Sequence, residues 1–183
     1  MTNRNSKKIG RNRLRFILLW ALSLCLFSGL FSHHAISTSK AFEINAEQAL
    51  LLDYTTRSII LEKNADKKMF PASMSKLMTL YIAFKKLSEK TISLDTQMRV
   101  SEKAWRMGGS KMFVELESTI AVSDLLRGII VQSGNDACIV LAEGIAGSEN
   151  QYVSLMNSAA KELGLENTNF MNVTGWPHPE HIT

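Results

Sequence analysis

The residues best suited to chemistry are Ser73 and Lys76, which sit three apart in Pro71-Ala72-Ser73-Met74-Ser75-Lys76-Leu77-Met78-Thr79. A serine hydroxyl is a weak nucleophile until an adjacent base takes its proton. A lysine amine becomes such a base when burial disfavours its charged form. Residues three apart share one helical face, so a helix starting here brings the two side chains together. The chemistry this spacing allows is acyl transfer, with Ser73 as nucleophile and Lys76 as general base. A second candidate is Ser133-Gly134-Asn135, in a polar break between two apolar stretches. There a hydroxyl can relay a proton while an amide holds a substrate carbonyl.

Short strings of this kind recur by chance, and the chain contains its own controls. Ser37 to Lys40 and Ser158 to Lys161 spell the same Ser-x-x-Lys pattern, and Ser148-Glu149-Asn150 repeats Ser-x-Asn. Context separates them. Ser37 lies in a polar stretch, Ser158 to Lys161 falls on an ordinary amphipathic helix, and Ser148 reads as a helix cap. Only Ser73 opens a segment that is apolar nearly all round, through Met74, Leu77, Met78, Leu80, Tyr81, Ile82, Ala83 and Phe84. A helix without a polar face is normally buried, so Lys76 is expected to lie in a core.

The elements that position these residues follow from the pattern. Residues 49–53 and 58–62 read as two strands of a hairpin about Tyr54-Thr55-Thr56-Arg57. Pro71 sets extended geometry ahead of a helix that starts at Ser73 or Met74 and ends near Leu87. Ser101 caps a short helix that Gly108-Gly109 ends. Residues 111–116 and 119–122 are predicted to pair about Glu117-Ser118. Apolar helices follow over 122–131 and 137–145, an amphipathic one over 149–163, and a loop to Thr183 with a strand near Phe170.

Charge and composition exclude some function classes. Residues 1–41 hold seven of the 21 Lys and Arg and no acid, so the remainder carries 14 basic against 17 acidic residues, a net charge of −3. The overall charge of +4 therefore gives no support to nucleic acid binding. Arg4, Lys7, Lys8, Arg11 and Arg13 precede an apolar run from Phe16 to Phe31, shorter than the roughly 20 residues of a membrane span. This pattern, with Ser39-Lys40-Ala41 as cleavage site, predicts a signal peptide over 1–41, removed to leave 42–183 as one domain. Leu24 before Cys25 argues against lipoprotein processing. Cys138 then has no intramolecular disulfide partner and reads as a packing residue. His178-Pro179-Glu180-His181 lacks helical metal-ligand spacing and is assigned to a loop near the active cleft. No metal and no cofactor is called for.

Three segments carry a resemblance. The Ser73–Lys76 string, Gly109-Ser110-Lys111-Met112-Phe113, and Arg127-Gly128-Ile129-Ile130-Val131-Gln132-Ser133-Gly134-Asn135-Asp136-Ala137 resemble the low-molecular-mass penicillin-binding proteins that are serine D-alanyl-D-alanine carboxypeptidases. The likeness extends through Leu163-Gly164-Leu165-Glu166-Asn167-Thr168-Asn169-Phe170. It implies an α+β fold of the serine β-lactamase and penicillin-binding-protein type, here a helical subdomain plus the first strands of an antiparallel sheet. It implies that Ser73 is acylated by the D-Ala-D-Ala end of a peptidoglycan stem peptide. Lys76 would act as base, Ser133 would pass a proton to the departing D-alanine, and Asn135 would position the substrate amide. β-Lactams would be acylating inhibitors, and an enzyme exported to the periplasm or the outer face of the cytoplasmic membrane is expected, with membrane-surface association in the full-length protein.

The family's third motif, Lys-Thr-Gly, is not in this sequence; Lys90-Thr91 is followed by Ile92 and lies between the first two motifs. The chain thus looks like an amino-terminal portion, incomplete at its carboxyl end. By itself it is expected to expose a large apolar patch and to be inactive on a D-Ala-D-Ala peptide. Rival readings are a D,D-endopeptidase, a serine β-lactamase using a glutamate in Glu162-Leu163-Gly164-Leu165-Glu166-Asn167, and a noncatalytic truncated envelope protein.

Overall fold

Every residue from Ala137 to Ala142 is buried, so the helix that carries them is the centre on which the other elements pack. The computed structural model describes residues 44–183, of which Gln48–Thr183 form one compact unit. The expected signal peptide, Cys25 and the Ser37 to Lys40 control lie outside the described residues. The elements run β1 (Ala49–Leu52), β2 (Ile59–Lys63), a 3-10 turn (Ala72–Ser75), α1 (Lys76–Ser88), β3 (Gln97–Arg99), α2 (Glu102–Arg106), β4 (Thr119–Ala121), α3 (Val122–Gln132), α4 (Asn135–Ala146) and α5 (Glu149–Glu162). The central helix is α4, which touches α1, α2, α3, α5 and β3.

Most of these elements fall where the sequence places them, for identifiable reasons. The β1–β2 hairpin is antiparallel with a register shift between Leu51 and Leu52, closed by Asp53, which accepts from the Thr56 N–H and hydroxyl. Ser101 caps α2 by accepting from Ala104 N, and Ser148 caps α5 by accepting from Gln151 N. Leu125, Ile129, Ile139, Leu141, Tyr152 and Met156 fill the core. Each such side chain contributes about 1.5–3 kcal/mol on full burial. Cys138 is among them, and burial pushes its thiol up to about 12, as expected of a packing residue rather than a nucleophile.

Two expectations are corrected. Residues 111–116 do not pair with 119–122; β4 pairs instead with β3, with Met98 opposite Ile120. The reason is that Met112, Phe113 and Val114 give their N–H groups to the buried carboxylate of Asp136, leaving none for a ladder. The α-helix also begins later than Ser73. Ala72 takes a left-handed φ of 47°, Pro71 is already helical at φ −71°, and the first turn is 3-10, so Ser73 precedes α1 while Lys76 begins it.

The apolar patch expected of α1 is present. Lys76, Met78, Thr79, Ile82 and Ala83 are buried, whereas Met74, Leu77, Tyr81 and Phe84 form an exposed apolar stripe, with Leu77 at 72% exposure. Leu50, Leu51, Ile59 and Ile60 of the hairpin are also exposed. The buried face of α1 is fixed to α5 by Tyr152, fully buried, whose hydroxyl donates to the Thr79 carbonyl at 2.7 Å. Tyr152→Phe should therefore cost about 0.5–1.5 kcal/mol, the net value of one buried hydrogen bond, because the Thr79 carbonyl keeps its bond within the helix and the packing is unchanged. Urea unfolding of the two proteins measures this, and equal midpoints and slopes would contradict it.

Candidate active site

Ser73, Lys76 and Ser133 meet at one point. Lys76 Nζ lies 3.1 Å from Ser73 Oγ and 3.1 Å from Ser133 Oγ, so the amine bridges the two hydroxyls. The contact with Ser133 spans 57 residues of sequence and depends on how α3 ends. Ser133 ends α3 in the left-handed conformation, φ 55° and ψ 37°, with the N–H groups of Ser133 and Gly134 turned back to carbonyls of α3. A non-glycine residue held in that region stores strain that the surroundings must support, as is common where a side chain has to be aimed.

Burial differs among the three. Lys76 is 4% exposed, Ser133 is half-buried and Ser73 faces solvent. Burial is what holds the Lys76 amine below the ordinary lysine range, partly offset by the neighbouring Cys138. An exposed hydroxyl thus stands against an amine that loses its proton more readily than a free lysine does. The Ser158 to Lys161 control is different, since both residues are exposed on α5.

Asn135 lies at the start of α4 and is 6% exposed. Its amide Nδ2 donates to Gly108 O at 2.8 Å, and its backbone N–H donates to Ser110 O at 2.7 Å. It therefore holds the Gly108-Gly109-Ser110 segment beside the site. Gly109 has φ 74°, and a Cβ there would fall 2.7 Å from Asn135 Nδ2, so only glycine fits. Trp176 packs on the same two glycines and is half-exposed. Its loop is organised by Asn172, whose Oδ1 accepts from the N–H groups of Thr174, Gly175 and Trp176.

The sequence reasoning missed His181 as a residue of the site. It is buried, and Nε2 lies 2.7 Å from Ser75 Oγ, within the turn that carries Ser73. Its motif was assigned to a loop near the cleft, which is where it lies, but nothing in the spacing pointed to Ser75. An apolar cleft of about 420 Å³, lined by Phe70, Ala72, Trp176, Pro177, Pro179 and His181 among others, adjoins the turn. A larger groove of about 690 Å³, along Gln97, Thr119, Asp124 and Arg127, holds none of the predicted site residues. The two glutamates weighed for a β-lactamase are both at the surface: Glu162 is paired with Lys85 and Glu166 is exposed.

Comparison with known proteins gives the family to which this scaffold belongs. Residues 34–183 match the family described as D-alanyl-D-alanine carboxypeptidase. The chain belongs to that family. It is 37% identical over 172 residues to D-alanyl-D-alanine carboxypeptidase DacF of Bacillus subtilis, covering 93% of this chain and 44% of the relative. It is 40% identical over 151 residues to the Escherichia coli carboxypeptidase DacC, covering 79% of this chain and 38% of the relative. Among solved structures, the carboxypeptidase DacD of Francisella tularensis superposes with a TM-score of 0.77 at 40% identity, over 85% of this chain and 38% of that one. Penicillin binding protein 5 of Haemophilus influenzae gives 0.74 at 37% identity, over 77% of this chain and 42% of that one. The chain thus spans less than half the length of these four relatives, and within that span it has their penicillin-binding-protein fold.

Proposed function

We propose that this chain carries the acylating centre of a serine D-alanyl-D-alanine carboxypeptidase, an enzyme that removes the terminal D-alanine of peptidoglycan stem peptides. The observation that carries the reading is one buried amine, Lys76 Nζ, set 3.1 Å from each of two hydroxyls. In its neutral form that amine accepts the Ser73 proton while Ser73 Oγ attacks the carbonyl carbon of the penultimate D-alanine. When the C–N bond breaks, the proton passes from Lys76 through the Ser133 hydroxyl to the leaving amine nitrogen. Water then adds to the ester, gives its proton to Lys76, and releases the shortened peptide as Ser73 Oγ regains a hydrogen. Asn135, with one amide hydrogen already on Gly108, offers its side-chain oxygen to the substrate amide. Residues 1–41 would direct export as a signal peptide, with 42–183 forming part of a catalytic domain that works outside the cytoplasmic membrane or at its surface.

β-Lactams share the reacting carbonyl geometry and are expected to stop at the acyl stage. Incubating the intact protein with a penicillin, digesting it and mapping mass shifts should place one penicilloyl group on Ser73. An adduct on Ser133, Ser75 or any serine elsewhere would sink the assignment of the nucleophile.

A further inference from the structure

The turn that presents Ser73 is held by a directed chain of hydrogen bonds that ends on His181. Met171 N–H donates to His181 Nδ1 at 3.3 Å, which fixes the ring as the tautomer carrying its hydrogen on Nε2. That Nε2–H faces Ser75 Oγ at 2.7 Å, and Ser75 in turn donates its own hydrogen to the Ala72 carbonyl at 2.7 Å. Every donor in the chain has one acceptor, and none of the links can reverse while Met171 donates. The edge of the Phe170 ring closes the other side of the imidazole, with ring centroids 5.7 Å apart. Burial first, and His178 second, keep the imidazole below its ordinary range and therefore neutral near pH 7.

The Ala72 carbonyl matters because it belongs to the peptide unit that joins Ala72 to Ser73. Ala72 has a φ of 47°, a left-handed conformation that an alanine rarely adopts and that persists only where neighbours enforce it. Two neighbours do so. Ser75 binds the carbonyl from one side, and Gly175, itself at φ 81°, packs so closely that a Cβ there would fall 1.7 Å from the same oxygen. If the carbonyl swings, the following peptide N–H and the direction of the Ser73 side chain swing with it.

We propose that His181 is a positioning residue for the nucleophile, acting through Ser75 and the Ala72 carbonyl to hold the strained turn that points Ser73 at Lys76. The inference rests on Ser73 being the acylated residue, and adds to that reading a group from the far end of the described chain. His181 bonds to Ser75 and Met171 and not to Lys76. Its role is orientation, and orientation errors of this size typically slow a reaction by tens to hundreds of fold.

The test uses the intact protein and three variants. His181→Phe keeps the ring volume and removes the donor. His181→Gln keeps an N–H that can reach Ser75. Ser75→Ala removes the link itself. With a penicillin as probe, the first-order acylation constant of His181→Phe should fall about 10–100-fold with the initial binding constant unchanged, and His181→Gln should recover most of the loss. Ser75→Ala should lose a similar amount, and His181→Phe combined with Ser75→Ala should lose no more than either alone, since both break one chain. Thermal melts identify the folded fraction, to which the rates are normalised. Additive losses in the double variant, or a His181→Phe that acylates at the wild-type rate while the adduct still maps to Ser73, overturn the positioning role and leave the nucleophile assignment standing. A wild-type protein with no adduct on Ser73 overturns both.

Discussion

Replacing Lys76 with methionine in the intact protein is expected to slow acylation of Ser73 by about 10²–10⁴-fold, the usual contribution of a positioned general base. The same change should stabilise the fold near neutral pH. Both effects have one origin, the burial that lowers the Lys76 pKa. In the proposed mechanism the neutral amine is the base, so acylation by the wild type should rise with pH through the folded pKa, at a pH below the 10.5 of a free lysine. The unfolded chain keeps the ordinary lysine value and binds more protons than the native state between the two pKa values. Stability contributed by this site is therefore complete above 10.5 and is lost as pH falls through the window to the folded value. Lys76→Met removes that loss, so its melting temperature should exceed that of the wild type at pH 7, by a margin that narrows as pH approaches 10.5. Calorimetric melts across the range and stopped-flow acylation with a chromogenic β-lactam measure the two halves. An acylation rate in Lys76→Met that matches the wild type and keeps its pH dependence would remove Lys76 from the mechanism.

How much of this was legible in the sequence depended on the range of the interactions. Ser73 and Lys76 are three residues apart, and the apolar residues around them predict burial of the lysine, which the fold delivers at 4% exposure. The caps at Ser101 and Ser148 and the β1–β2 hairpin are also decided locally, by side chains that bond within a few residues. The pairing of Ser133 with Lys76 is tertiary, but a polar break between two apolar helices marked it. What could not be read was set at long range. His181 meets Ser75 across 106 residues, with no periodicity or motif to announce it. The 3-10 turn at Ser73 arises because Ala72 is gripped by Gly175 and Ser75, and local propensity alone would have continued the helix back to Ser73. The hairpin expected between 111–116 and 119–122 failed for a related reason. Its sequence is adequate for a strand, but one distant carboxylate competes for the same N–H groups and wins.

That carboxylate carries the second large expectation. Asp136, 1% exposed in the first turn of α4, accepts from Met112 N and Ala137 N through Oδ1 and from Phe113 N and Val114 N through Oδ2. A carboxylate at a helix N-terminus is itself favourable, and here it also supplies the acceptors that residues 112–114 would otherwise have found in a sheet. Asp136→Ala leaves two or three of these donors without a partner at about 1–3 kcal/mol each, so unfolding free energy should drop by about 2–9 kcal/mol. Asp136→Asn keeps the shape and one acceptor oxygen but turns an NH2 group toward N–H donors, and should fall between the two. The effect should also reach the active site. Asn135 holds Gly108 and Ser110 from the adjoining position, and Gly134 leaves so little room that a Cβ would lie 3.1 Å from Asp136 Oδ1 and 3.2 Å from Met112 N. Releasing 112–114 therefore loosens the backbone on both sides of Ser133, and acylation of Ser73 should slow even in the molecules that remain folded. Urea unfolding gives the stability term, and penicillin acylation normalised to the folded fraction gives the other. A variant Asp136→Ala within about 1 kcal/mol of the wild type would mean that other acceptors take up these N–H groups, and that the clamp is not what keeps 112–114 out of the sheet.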